Sequence, residues 1–172
     1  MRVAASDVTM RALPKEVRMI RFICTLVLVL LIVTPSLGQQ SLVGTYKIVS
    51  HEVQLNGTTT QPLGKAPHGY LVLTPTRYVA FYAGDSRKFG TSVADKAALL
   101  DTLAGVAGTY RVEGGKIIIA VDVSWTEAWT GKDLVRNWAL SGNRLTFTSD
   151  PMRSATDPSK TSIVRQVYEK IE

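Results

Sequence analysis

From Gly108 to Thr148 the sequence repeats one pattern, extended segments rich in Ile, Val, Trp and Leu broken by short glycine turns. Glu113-Gly114-Gly115-Lys116 and Ser141-Gly142-Asn143 are tight turns and Thr130-Gly131-Lys132 a looser one, because glycine accepts the positive φ that short hairpin loops require. Strands are therefore expected near 109–112, 116–125, 133–140 and 144–148, joined as an antiparallel meander. A sheet with one apolar face must be covered by a second layer or closed on itself.

The flanking segments supply more strands. Ser41–Val53 alternates as a first strand, with Tyr46, Ile48 and Glu52 on one side and Lys47, Val49 and His51 on the other. Asn56-Gly57 closes a hairpin, and with Thr58 it also spells a glycosylation sequon. Tyr70–Leu73 and Tyr78–Ala83 flank Thr74-Pro75-Thr76-Arg77 as a second hairpin. Ser92 and Asp95 form a capping box that starts a helix, with Ala97, Leu100, Leu103, Ala104 and Ala107 at helical spacing and Gly105 and Gly108 as stops. This helix is suited to covering a sheet edge or a barrel end. A polar loop, Asp150–Lys160, precedes a last strand, Ser162–Lys170. Eight or nine strands with hairpin connections and one short helix describe an all-β fold, an antiparallel up-and-down barrel.

The N-terminus reads as a separate segment. Met19-Ile20-Arg21 leads into the apolar run Phe22–Val33, followed by Thr34-Pro35-Ser36-Leu37-Gly38 with small residues where a signal peptidase cuts. Residues 1–38 are thus expected to be a signal peptide with an extended n-region, cleaved after Gly38, from a start at Met1, Met10 or Met19. Residues 39–172 are the barrel domain, secreted or periplasmic. The run is shorter than the roughly 20 residues a spanning helix needs, so no membrane span is expected after cleavage. The one cysteine, Cys24, lies in the leader, which removes disulfide, thiol and cysteine-metal chemistry from the domain. Arg2, Arg11, Lys15, Arg18 and Arg21 against Asp7 and Glu16 place about half of the net charge of +6 in the leader, and the remaining cations are scattered. A nucleic-acid footprint is absent from such a pattern, and the size suits a monomer or weak dimer.

Several pieces in order resemble the lipocalin-like domain proteins, a family of calycin-type barrels. They are Leu42-Val43-Gly44-Thr45-Tyr46-Lys47, Gly69-Tyr70-Leu71 with Thr74-Pro75, and the Ala-rich helix. Gly108-Thr109-Tyr110-Arg111-Val112, Trp129 with Gly131, Val135-Arg136 and Asn143-Arg144-Leu145-Thr146 continue the series. Two departures are Tyr46, where relatives have tryptophan, and Ile119-Ala120, where many carry histidines. The resemblance implies a closed barrel holding a small, mostly apolar molecule, or, by analogy with a few members, an isomerase or cyclase acting on one.

Alternation nominates the interior. Leu134, Arg136, Trp138 and Leu140 share a face, as do Ile117, Ile119, Val121, Val123 and Trp125, and so do Leu145 and Phe147. A buried guanidinium costs several kcal/mol unless paired, so Arg136 needs an internal carboxylate, such as Glu52, or an anionic ligand; alternatively it snorkels over a rim to solvent. The cavity candidates are Arg136, Trp138, Trp125, Tyr110, Phe81, Glu52, Ile119 and Phe147. His51 is expected to face outward and His68 to lie in a loop, and neither has metal-ligand spacing. No cofactor, metal or catalytic residue is expected from this pattern, and a barrel packed solid and acting through its surface remains a third possibility.

Overall fold

The computed structural model describes residues 41–153 and 159–172, so the expected leader and its cleavage site lie outside the described residues. The strands are β1 (Gly44–Leu55), β2 (Thr58–Thr60), β3 (His68–Leu73), β4 (Arg77–Ala83), β5 (Leu103–Glu113), β6 (Lys116–Ser124), β7 (Asp133–Ser141), β8 (Arg144–Thr148), β9 (Met152–Arg153) and β10 (Thr161–Lys170). One helix, α1 (Val93–Asp101), sits between β4 and β5. Around the sheet the order is β2-β1-β3-β4-β5-β6-β7-β8-β10-β9, and β1 also pairs with β10. Eight antiparallel strands therefore close into an up-and-down barrel, with β2 and β9 as short spurs. No helix among the described residues is long and apolar enough to cross a membrane.

The connections are unequal. Tight turns join β3 to β4, β5 to β6 and β7 to β8 at one end, while the long connections 61–67, 84–102 and 125–132 fall at the other. The tight end is packed solid: Leu42, Tyr46, Leu71, Leu73, Ile117, Leu145, Phe147 and Tyr168 are fully buried there. Tyr46 Oη donates to the Leu42 carbonyl at 2.9 Å, pinning the entering chain across that end.

Two bulges reset the alternation. In β1, Ile48 pairs with Tyr168 and Ser50 with Val167, so Val49 is an extra residue. In β6, Ala107 faces Val123 and Gly108 faces Val121, which makes Asp122 extra. A single inserted residue moves every later side chain of its strand to the opposite face. Val123, expected inside with Val121, is consequently turned out and largely exposed. Gly108 is required at the second bulge, because a Cβ there would run into the Ala120 carbonyl oxygen.

The helix starts as expected, with Ser92 Oγ accepting from the Asp95 amide at 3.1 Å and the Asp95 carboxylate accepting from the Ser92 amide at 3.1 Å. It ends early. Thr102 Oγ1 donates back to the Ala98 and Leu99 carbonyls, and Leu103–Ala107, expected to be helical, are β-strand instead. There they pair along β4 from Leu103 opposite Ala83 to Ala107 opposite Val79, so tertiary pairing overrides an ambiguous Ala/Gly-rich stretch. None of α1's residues is buried, and its last residue, Asp101, lines the cavity described below.

Candidate functional site

Above the packed base the barrel encloses a cavity of about 310 Å³ that reaches the end carrying the long connections. Its walls are mostly apolar: Val53 from β1, Ala80 from β4, Val106 from β5, Ile119 from β6 and Leu134 from β7. Trp125 and Trp129 stand at the rim, edge to face with ring centroids 6.3 Å apart. Among the described residues no group of His, Asp and Glu is placed to hold a metal.

Tyr78, Tyr82 and Arg136 line the deeper part of the cavity. The hydroxyls of Tyr82 and Tyr168 meet at 2.6 Å. Burial raises the pKa of all three tyrosines, Tyr82 and Tyr168 well above the ordinary phenol value, so these groups stay protonated donors. Arg136 is 7% exposed. Its one hydrogen bond among the described residues runs from Nη1 to the neighbouring Val135 carbonyl at 2.8 Å. Burial lowers its pKa, partly offset by the three tyrosines, yet a guanidinium remains charged at any physiological pH.

His51 also lines this cavity. It was expected outside; the Val49 bulge turns it in and, by the same step, turns Glu52 out. Glu52 is paired across the strand with Arg165, whose Nη1 lies 3.5 Å from its carboxylate on the outer surface. The amide Nε2 of Gln166 lies 3.2 Å from His51 Nδ1. As placed, the amide donates to Nδ1, so the neutral ring carries its proton on Nε2. Burial, reinforced by the charge of Arg136, lowers the His51 pKa to about 4.

Of the residues nominated from alternation, Arg136, Ile119 and Trp125 line the cavity. Phe147 and Tyr110 face inward within the packed core, Tyr110 donating to the Thr74 carbonyl at 2.8 Å. Trp138 packs against that core, its Nε1 buried without a partner among the described residues. Glu52 and Phe81 are corrections, since both face outward. Phe81 is 57% exposed beside Tyr70 and Gly105. In Tyr78–Ala83 the outward set, Val79 and Phe81, is at least as apolar as the inward set, Tyr78, Ala80 and Tyr82, so hydrophobicity selects the wrong face. Sequence reasoning missed Tyr78, Tyr82, His51 and Gln166. The first two had a signal, an i, i+4 pair of tyrosines on one face of a strand; the others depended on a bulge and a cross-strand partner.

A closed eight-stranded antiparallel barrel, solid at one end and hollow toward the other, is now joined by a direct sequence match. The family model of the lipocalin-like domain matches residues 43–171. The chain belongs to the lipocalin-like domain family. No curated protein matches it. The matched range runs from the residue before β1 to the residue after β10, so the lipocalin-like domain accounts for the whole barrel. A lipocalin-like barrel is a small-molecule-binding fold, and this one keeps its free volume on the side of the long connections.

Proposed function

We propose that the protein is exported and holds a small hydrophobic or amphipathic molecule inside its lipocalin-like barrel. The observation that carries the binding reading is the apolar-walled cavity of about 310 Å³, a size within the usual range for small-molecule sites. Export rests on the sequence, the positive n-region, apolar run and small-residue site ending at Gly38. Uptake of the neutral fluorescent probe N-phenyl-1-naphthylamine, at one site per chain, tests the first part. A barrel that takes up no apolar probe and carries no co-purifying molecule overturns it. Mass spectrometry of protein recovered from the cell envelope or medium tests the second, with a chain beginning at Gln39 expected and an intact leader as the opposing result.

A second reading, an isomerase or cyclase acting on an apolar substrate, is favoured by one observation. Tyr78, Tyr82 and Arg136 converge on the same cavity, and such donors stabilise a developing oxyanion. The reading is weaker because the described residues set no base beside these donors: Glu52 faces out, the His51 lone pair on Nδ1 is taken by Gln166, and Asp101 lies at the end of α1 on the side of the long connections. Binding is therefore the function the geometry supports best.

A further inference from the structure

The cavity is apolar around its wall but one-sided in its polar groups. Arg136 brings a positive charge that no carboxylate among the described residues neutralises; the ion pairs there join other residues, on the outside of the barrel. Among the described residues the only carboxylate lining the cavity is Asp101, at the end of α1, on the side of the long connections, and the exposed Arg153 lines the cavity as well. Near Arg136 the protonated phenols of Tyr78 and Tyr82 can donate, and the His51 ring has its acceptor nitrogen occupied by Gln166. A guanidinium held in a low-dielectric pocket without a counter-charge is unfavourable by itself. The same arrangement becomes favourable when an oxyanion enters, because charge-assisted hydrogen bonds from Arg are the strong ones and its fork matches a carboxylate.

We infer that the cavity selects molecules with a single anionic head, a carboxylate or an equivalent oxyacid, seated against Arg136 and His51 with the apolar body extending toward Trp125 and Trp129. This inference rests on the small-molecule reading above and adds the chemical class of the ligand. A neutral alcohol or hydrocarbon of the same shape would leave the guanidinium unpaired. A cation would meet a like charge in a site of low dielectric.

The test compares two probes that share one aromatic body, N-phenyl-1-naphthylamine, which is neutral, and 1-anilinonaphthalene-8-sulfonate, which is anionic across the accessible pH range. Displacement of the neutral probe by dodecanoate and by dodecanol gives a second, carboxylate-specific comparison. The anionic member of each pair is expected to bind at least about tenfold more tightly to the native protein. Arg136→Met and Arg136→Gln are expected to abolish that preference while leaving uptake of the neutral probe, which also reports that the variants are folded. Equal affinity for neutral and anionic members in the native protein, or a preference that survives in both Arg136 variants, overturns the inference. Absence of uptake of either probe by the native protein overturns instead the small-molecule reading beneath it.

Discussion

The hydroxyls of Tyr82 and Tyr168 stand 2.6 Å apart inside the barrel, joining strands β4 and β10 through its interior. Removing one hydroxyl leaves the other buried with one partner fewer. Tyr82→Phe and Tyr168→Phe are each expected to lower stability by about 1–2 kcal/mol, and the double variant by clearly less than the sum of the two. A double-mutant cycle from urea unfolding checks this, with strict additivity as the opposing outcome.

Arg136 is buried by the fold without a carboxylate partner among the described residues. Replacing a buried charge by an apolar side chain of similar volume is commonly neutral or stabilising. The unliganded Arg136→Met variant is therefore expected to be about 1–3 kcal/mol more stable than the native protein, read from the urea midpoint at unchanged slope. A loss of stability of similar size would mean that Arg136 holds the barrel together.

The His51 pKa is depressed to about 4 by burial and by the charge of Arg136. The unfolded chain, with an ordinary histidine near 6.5, binds the proton first as pH falls, so stability rises with pH between those two values. The neutral ring's contribution is intact above about pH 6.5. It declines below that and is lost once the pH passes below about 4, the full difference being about 3 kcal/mol. An NMR titration of the ring is expected to give a midpoint near 4, and His51→Gln to flatten that part of the stability profile. A midpoint near the ordinary value would place the ring in solvent.

Deleting Val49 removes the extra residue that lets Tyr46 and Ile48 face in on one side of the bulge and His51 and Val53 on the other. One of the two sets must then turn to the outer face. With Tyr46 and Ile48 almost fully buried, the deletion is expected to destabilise the barrel by at least about 3 kcal/mol, on the scale of two lost core side chains. Denaturant unfolding measures it, and a near-neutral deletion would show that the bulge does not hold the register.

Much of the architecture is legible in the amino-acid sequence. Asn56-Gly57 forms the expected turn, with positive φ at both residues, and the Ser92–Asp95 capping box starts a helix where it was expected. The interior face of β6 is correct through Val121 and fails just past the Asp122 bulge. The site was less legible. Arg136 was found because its neighbours alternate cleanly, and two other cavity residues, Ile119 and Trp125, came from the same logic. Tyr78 and Tyr82 were passed over because they share a strand with the exposed and equally apolar Val79 and Phe81.

By itself, the amino-acid sequence determined the sequential order of antiparallel strands and their closure into a barrel, since turn residues and period-two alternation act over a few neighbouring positions. Tertiary structure decided which side of β1 looks inward beyond Ile48, placing His51 in the cavity and Glu52 outside, and it decided that Leu103–Ala107 pairs with β4 rather than extending α1. The physical reason is common to both. A bulge residue has no distinctive side chain, and an Ala/Gly-rich stretch has no strong local preference, so each is settled by hydrogen-bonding to a strand that lies far away in the chain.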